Sequence, residues 1–280
     1  MEYGWQKLYS IISAILTDHF QKGDRKMNIT KEVKLASTNQ QTAIKESKMK
    51  ITGSKMIRVA GLAAMGAGIL YITIQAIHPL DVLSSVTTAQ WAITHYLSIV
   101  MDLLAMLGVT GIFARQVEKS GWLGLASYLL FGGFWAFSVA LHFIEAFISP
   151  VAATEAPKFV EGLLGMVAGH ASEINLGALP TVYGLLIGVV GYVLGGLLFG
   201  IATFRANVLP RWAGGLLAIG TLLPVLLSSV VQHPFDRIFA VPVGLALAWL
   251  GYSLWSERRD PVSEPVLGKV SPELSQTGAD

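Results

Sequence analysis

The residues best suited to chemistry in this chain are five histidines and the acids that follow most of them. His78, His142, His170 and His233 each stand three positions before a carboxylate, namely Asp81, Glu145, Glu173 and Asp236. His95 lies outside that spacing but near the end of another apolar run. Positions three apart share one face of a helix. Imidazole and carboxylate can then be offered together to one metal ion, or to each other for proton transfer. The pattern nominates His78, His95, His142, His233, Asp81 and Asp236 as ligands for a divalent metal such as zinc or iron. In His78-Pro79 and His233-Pro234 the proline favours a helix end. Those residues read equally well as the close of a span, with the aspartate turning the chain.

Asp102 sits in the middle of an apolar run. An ionised carboxylate there costs about 2.5–3.5 kcal/mol in a membrane even on the lenient insertion scale, and no lysine or arginine is expected at that depth. It must be protonated, solvated or paired with a histidine. His95, Ser98 and Asp102 fall on one helical stripe, which Thr110 continues. Ser138, His142 and Glu145 form a second stripe, and Ser229, Gln232 and Asp236 a third, while Gln75 adds a polar group to the first apolar run. Such stripes predict a wet cavity with Asp102 at its floor and His95, Ser98, His142 and Glu145 as partners in a proton relay. The competing account is a set of interhelical hydrogen bonds that only lock a bundle, each worth about 0.6 kcal/mol.

The elements that must position these residues are apolar and long. Hydrophobic residues make up 53% of the chain and charged residues 14%, against about 25% charged in a soluble domain, and the mean hydropathy is +0.57. Several runs approach the roughly 20 residues that cross the hydrocarbon as a helix. The expected fold is an all-α, polytopic membrane bundle of six helices at 57–78, 92–114, 121–146, 180–204, 211–232 and 237–256. There are no cysteines, which excludes disulfides, thiolate catalysis and cysteine-bound clusters.

Charge orients the bundle. Eleven of the twenty Lys and Arg residues precede or sit at Arg58, and only Lys158 and Arg237 fall on the opposite side of the six expected spans. The positive-inside rule then places both termini in the cytoplasm and the histidine ends outside. Residues 1–55 read as a basic cytoplasmic tail that is largely unstructured after an amphipathic start, in which Trp5, Leu8, Ile11, Ile12, Ile15, Leu16 and Phe20 recur at helical spacing. Residues 56–258 form the membrane domain, and 259–280 a second cytoplasmic tail.

The spans also read as three hairpins. Arg58-Val59-Ala60-Gly61 with His78-Pro79-Leu80-Asp81 is echoed by Arg211-Trp212-Ala213-Gly214 with His233-Pro234-Phe235-Asp236. In the fourth span Gly184 and Gly188, and Gly191 and Gly195, repeat at four-residue spacing, which lets helix backbones approach. They serve either the centre of the bundle or the seam of a homodimer. Between spans three and four, Pro157 suits the first turn of a short helix whose Phe159, Val160, Leu163, Leu164 and Val167 share a face. That helix is expected to lie in the outer interface or over the bundle mouth.

Phe113-Ala114-Arg115-Gln116, the run Phe143–Phe147, Leu209-Pro210-Arg211-Trp212-Ala213-Gly214 and Trp249-Leu250-Gly251-Tyr252 resemble segments of uncharacterised bacterial multi-pass membrane proteins of the domain-of-unknown-function kind. The resemblance runs from about Arg58 to Arg259. It implies a bacterial plasma (inner) membrane and carries no activity over. Phosphate-cradling, nucleophile-elbow and His-Glu-x-x-His motifs are absent, and nothing points to nucleic acid. Three functions stay open. The plainest is a structural, sensory or partner-binding membrane protein. The second is a proton-coupled transporter using Asp102 and the outer histidines for an unspecified small ligand. The third is a membrane metalloenzyme with a His/carboxylate site at the outer face.

Overall fold

The computed structural model describes residues 31, 34, 35, 37, 38, 52–168, 172–227, 230, 231 and 235–257. The chain divides into two compact units, Met1–Thr52 and Gly53–Asp280. In the first, Lys31, Lys34, Leu35, Ser37 and Thr38 are helical, and the Ser37 and Thr38 hydroxyls donate back to the Lys34 carbonyl. An unstructured tail does not describe those positions. The expected amphipathic start lies outside the described residues, as do His170, Ser229, Gln232 and His233.

The second unit is helical, with no strand among its described residues. Helix α1 spans Gly53–Ile77 and stops where His78-Pro79 denies it another turn. A four-residue turn, α2 (Leu83–Val86), leads to α3, Ala89–Phe143. The Thr88 hydroxyl caps α3 by accepting from the Trp91 amide at 3.2 Å. A π-helical turn, Ile144–Ile148, joins α3 to α4 (Ser149–Glu155), and α5 follows at Pro157–Val167. After α6 (Leu179–Thr181) the chain runs as a π-helix over Val182–Gly195 and as α7 over Gly196–Ala206. Helix α8 covers Arg211–Leu227, and a 3-10 turn at Phe235–Phe239 leads into α9, Ala240–Ser256.

Among the described residues, four helical stretches are long and apolar enough to cross a membrane: Gly53–Ile77, Ala89–Glu155, Leu179–Ala206 and Phe235–Ser256. Arg211–Leu227 is a shorter apolar helix. The spans expected at 92–114 and 121–146 therefore lie within one continuous 67-residue stretch, and the third does not end at 146. That stretch folds back on itself at Gly121, whose φ of 55° and ψ of −146° suit a residue without Cβ. Phe113 stacks on Tyr128 at 4.6 Å, and Tyr96 packs on Phe147 at 5.2 Å. Such pairs straddle Gly121 at similar distances on either side, so the two arms of α3 run antiparallel.

The helices close into a ring. α1 packs between the first arm of α3 and α9, the second arm meets the π-helix and α7, and α8 lies between α7 and α9. Ala105, Val109, Ile112, Phe131, Phe199, Leu217, Leu247 and Leu250 fill the middle and are completely buried. Outward faces are also apolar, with Leu103, Leu107, Leu129, Phe137, Ile69 and Ile219 each about half exposed or more. Apolar residues on all faces of a helix suit hydrocarbon on its outer side.

Small residues set the closest seams. A Cβ on Gly61 would stand 2.6 Å from the Trp255 amide nitrogen, and one on Gly251 would stand 2.6 Å from the Gly61 carbonyl oxygen. Gly68 and Gly244 oppose each other in the same way, seven residues along each helix. Backbones this close gain dispersion contacts that need no aqueous hydrophobic drive. Gly195 lies against Phe131 and Leu130, and Gly191 against Phe134. Gly184 has no neighbour within 4 Å, and Gly188 meets only the Tyr183 carbonyl of its own helix.

Candidate functional site

At the end of the ring that carries His78 and Glu145, a cavity of about 400 Å³ opens between α1, both arms of α3, the π-helix and the 3-10 turn. Asp102 lies on its wall and is completely buried, as is His95 behind it. The His142 Nδ1 and an Asp102 carboxylate oxygen are 2.6 Å apart. This is the short distance of a charge-assisted bond, and of the three expectations for Asp102 it matches pairing with a histidine. The other oxygen, Oδ1, has no hydrogen-bond partner among the described residues.

A second pair lies beside the first. His95 Nδ1 is 2.8 Å from the Trp91 carbonyl, and a carbonyl only accepts, so Nδ1 carries the proton. His95 Nε2 then faces the Glu145 carboxylate at 3.4 Å, and it makes no hydrogen bond. The Trp91 indole N–H donates to the Glu145 main-chain carbonyl at 2.8 Å and fixes the two arms at this level. The two pairs cross. The first arm supplies His95 and Asp102, the second supplies Glu145 and His142.

This pairing corrects the three-residue rule. His142 and Glu145 were expected to act together on one helix face, but the π-helical turn begins between them; His142 bonds to Asp102 and the Glu145 carboxylate stands 3.4 Å from His95. π-turns of this kind recur at functional sites because they re-aim side chains. His78 and Asp81 also fail to form a tight pair, with Nδ1 at 3.9 Å from Oδ1. His78 Nδ1 donates instead to the Pro79 carbonyl at 2.8 Å. Asp81 binds Arg237 at 2.7 Å, and that guanidinium also donates to the His78 and Pro79 carbonyls at 2.9 and 3.2 Å.

The imidazoles nonetheless approach one another. Ring centroids of His78 and His95 are 5.1 Å apart, and those of His95 and His142 6.1 Å. They form a chain of neighbouring rings, His78, His95 and His142, whose last member is bonded to Asp102. No group of three or more His, Asp or Glu side chains among the described residues is arranged to hold a metal ion. His78 and His95 hold Nδ1 on a carbonyl and His142 on Asp102, and His78, His95, His142, Asp81 and Asp236, expected as zinc or iron ligands, form no ligand cluster among the described residues. His233 lies outside the described residues.

Burial is the main cause that holds His78 below the ordinary imidazole value, with the Arg237 guanidinium adding to it. The Pro79 carbonyl and the Asp81 carboxylate pull the other way. Ser98 and Ser138 line the cavity while their hydroxyls donate to the carbonyls of Thr94 and Phe134. Gln75 and Asp236 are also on its wall. Thr110 leaves the stripe: it is exposed and lies 3.1 Å from the Tyr128 hydroxyl.

Sequence reasoning missed the aromatic part of this wall, formed by Tyr71, Phe134, Trp135, Tyr183 and Tyr192. A signal existed for Tyr71, which stands four and seven residues before Gln75 and His78 on the same helix. It also missed Arg237 as the partner of Asp81. Above the site, Val160 and Leu164 of α5 pack on Trp91 and Val86, and Val167 reaches the cavity wall. No protein-family model matches the chain, and comparison with curated proteins and with solved structures gives no match either.

Proposed function

We propose that this chain is a multi-pass membrane carrier that takes up and releases protons at the Asp102–His142 pair as it cycles. The observation that carries this reading is a buried carboxylate with one oxygen bound to an imidazole and the other unpartnered, on the wall of an open cavity. His95 and Glu145 provide a second place for the same proton, and His78 provides a third nearer the mouth. An intramembrane ionisable pair of this kind is costly and is retained where protons or ions move.

A carrier fits better than a channel. Next to the pair the ring is filled by Ala105, Val109, Ile112, Phe131 and Phe199, and the buried polar groups beyond them, Gln116, Thr203, Ser127 and Thr221, bond to one another or to their own helices rather than to the pair. Crossing then needs one group of helices to move against another, as in transporters whose sites alternate between two sides. The membrane topology proposed with it has six crossings, with the two arms of α3 counted separately and α8 included. Both termini lie on the cytoplasmic side of a bacterial plasma membrane. In support, Arg58, Arg115, Lys119, Arg205 and Arg211 gather at helix ends away from the cavity, as the positive-inside rule requires.

The test is proton movement in liposomes. Purified protein, reconstituted with a pH-sensitive dye inside and an imposed potassium diffusion potential, should acidify or alkalinise the lumen faster than empty liposomes. Asp102→Asn and His142→Ala should abolish the difference. Wild-type flux in both variants would remove the pair from the mechanism, and the carrier reading with it.

A further inference from the structure

We infer that the cavity binds an amphiphilic organic cation, with its ammonium head between Asp102 and Glu145 and its alkyl tail leaving sideways past Gly184 and Gly188. This rests on the carrier reading and names the substrate class for the same site. The head is argued from charge. Asp81, Asp102, Glu145 and Asp236 line the cavity, and the lining guanidinium, Arg237, is bound to Asp81. Asp102 is answered by His142, while His78 and His95 each hold their Nδ1 proton on a carbonyl, which leaves Glu145 without a Lys or Arg partner among the described residues and favours a cation. Asp102 Oδ1 is fully buried without a partner and offers an acceptor to an N–H donor.

The aromatic wall supports the same class. Phe134 lies 4.9 Å from Trp135 and 5.0 Å from Tyr192, and Tyr71 lies 5.6 Å from Trp135. The rings are tilted by 66°, 55° and 78°, so together they make a corner rather than a stack. A cation held near ring faces is attracted to them, and a substituted ammonium loses less hydration there than a metal ion does.

The tail is argued from a second hollow. A largely apolar groove of about 740 Å³ adjoins the cavity and shares Tyr183, Gly184, Gly188 and Tyr192 with it. Met166, Leu176, Val189 and Val193 also line it, together with exposed Val225, and Pro224 borders both hollows. Gly184 has open space where a side chain would stand, so these glycines keep the two hollows joined. A polar cavity that continues into an apolar groove fits a molecule with one charged end and one hydrocarbon end.

The probes are octylammonium, butylammonium, octanol and octanoate, titrated calorimetrically into the protein in phosphatidylcholine nanodiscs, with empty nanodiscs as the reference. Octylammonium should bind best, and octanol and octanoate should give no saturable heat. Asp102→Asn and Glu145→Gln should each weaken octylammonium by about tenfold, the loss of one charged hydrogen bond. Gly188→Leu should remove the advantage of octyl over butyl and leave butylammonium binding in place. If Asp102→Asn does not fold, Glu145→Gln and the charge series on the wild type still decide. Equal binding of octanol, preference for octanoate, or indifference to both carboxylate variants would overturn the inference. Proton flux without amine binding would end this inference alone. Amine binding without proton flux would keep the site and end the carrier reading.

Discussion

At the scale of single residues, the protein places polar groups in pairs where a lone one would be expensive. Asp102 could be found from the sequence because a carboxylate in the middle of an apolar run has to be explained. Its partner could not, since His142 lies forty residues away and several histidines were equally eligible. The His78 environment leads to a prediction about pH. Burial lowers the pKa of His78 in the folded protein, so the unfolded chain binds more protons as the pH falls through about 6.5, the ordinary imidazole value. The stability contributed by keeping His78 neutral is present above that value. It is lost progressively as the pH falls towards the folded-state value, and it stays level below it. Melting temperatures measured across this window should fall on acidification, and His78→Gln should flatten the slope. An unchanged slope in the variant would show that other groups set the acid sensitivity.

At the scale of elements, glycine does two different jobs, and the sequence separates them poorly. Four-residue spacing marked Gly184, Gly188, Gly191 and Gly195 alike as packing residues. The fold uses Gly191 and Gly195 against the second arm of α3 and leaves Gly184 and Gly188 beside open space. The seam of Gly61 and Gly68 against Gly244 and Gly251 repeats every seven residues instead, and of these Gly61 and Gly251 stood out only as members of a repeated or a resembling segment. Gly61→Leu should force the Trp255 and Gly251 backbones apart at a cost of about 1–3 kcal/mol, typical of overpacking. Thermal unfolding in detergent should register this as a lower transition temperature, whereas Gly133→Leu, at a position with nothing within 4 Å, should not. The π-helical turn at Ile144–Ile148 was not legible at all. Its hydrogen-bond register depends on how the second arm meets the first, and no residue type announces that.

At the scale of the molecule, hydropathy and charge made an all-helical chain with membrane-length elements legible, because both follow from composition and spacing rather than from tertiary contacts. The count of crossings depends on one residue. If α3 is a hairpin that turns at Gly121 inside the cell, Glu118 lies on the cytoplasmic side and Glu161 of α5 on the outer side. Both side chains are exposed. The chain has no cysteine, so Glu118→Cys and Glu161→Cys each create a single, unambiguous label site. In intact cells a membrane-impermeant thiol reagent should modify the variant at 161, and it should reach the variant at 118 only after lysis. Labelling of both from outside would place the Gly121 turn and the cavity mouth on one face. The two arms of α3 could not then both cross the bilayer, and the Asp102–His142 pair would lie outside any transmembrane path.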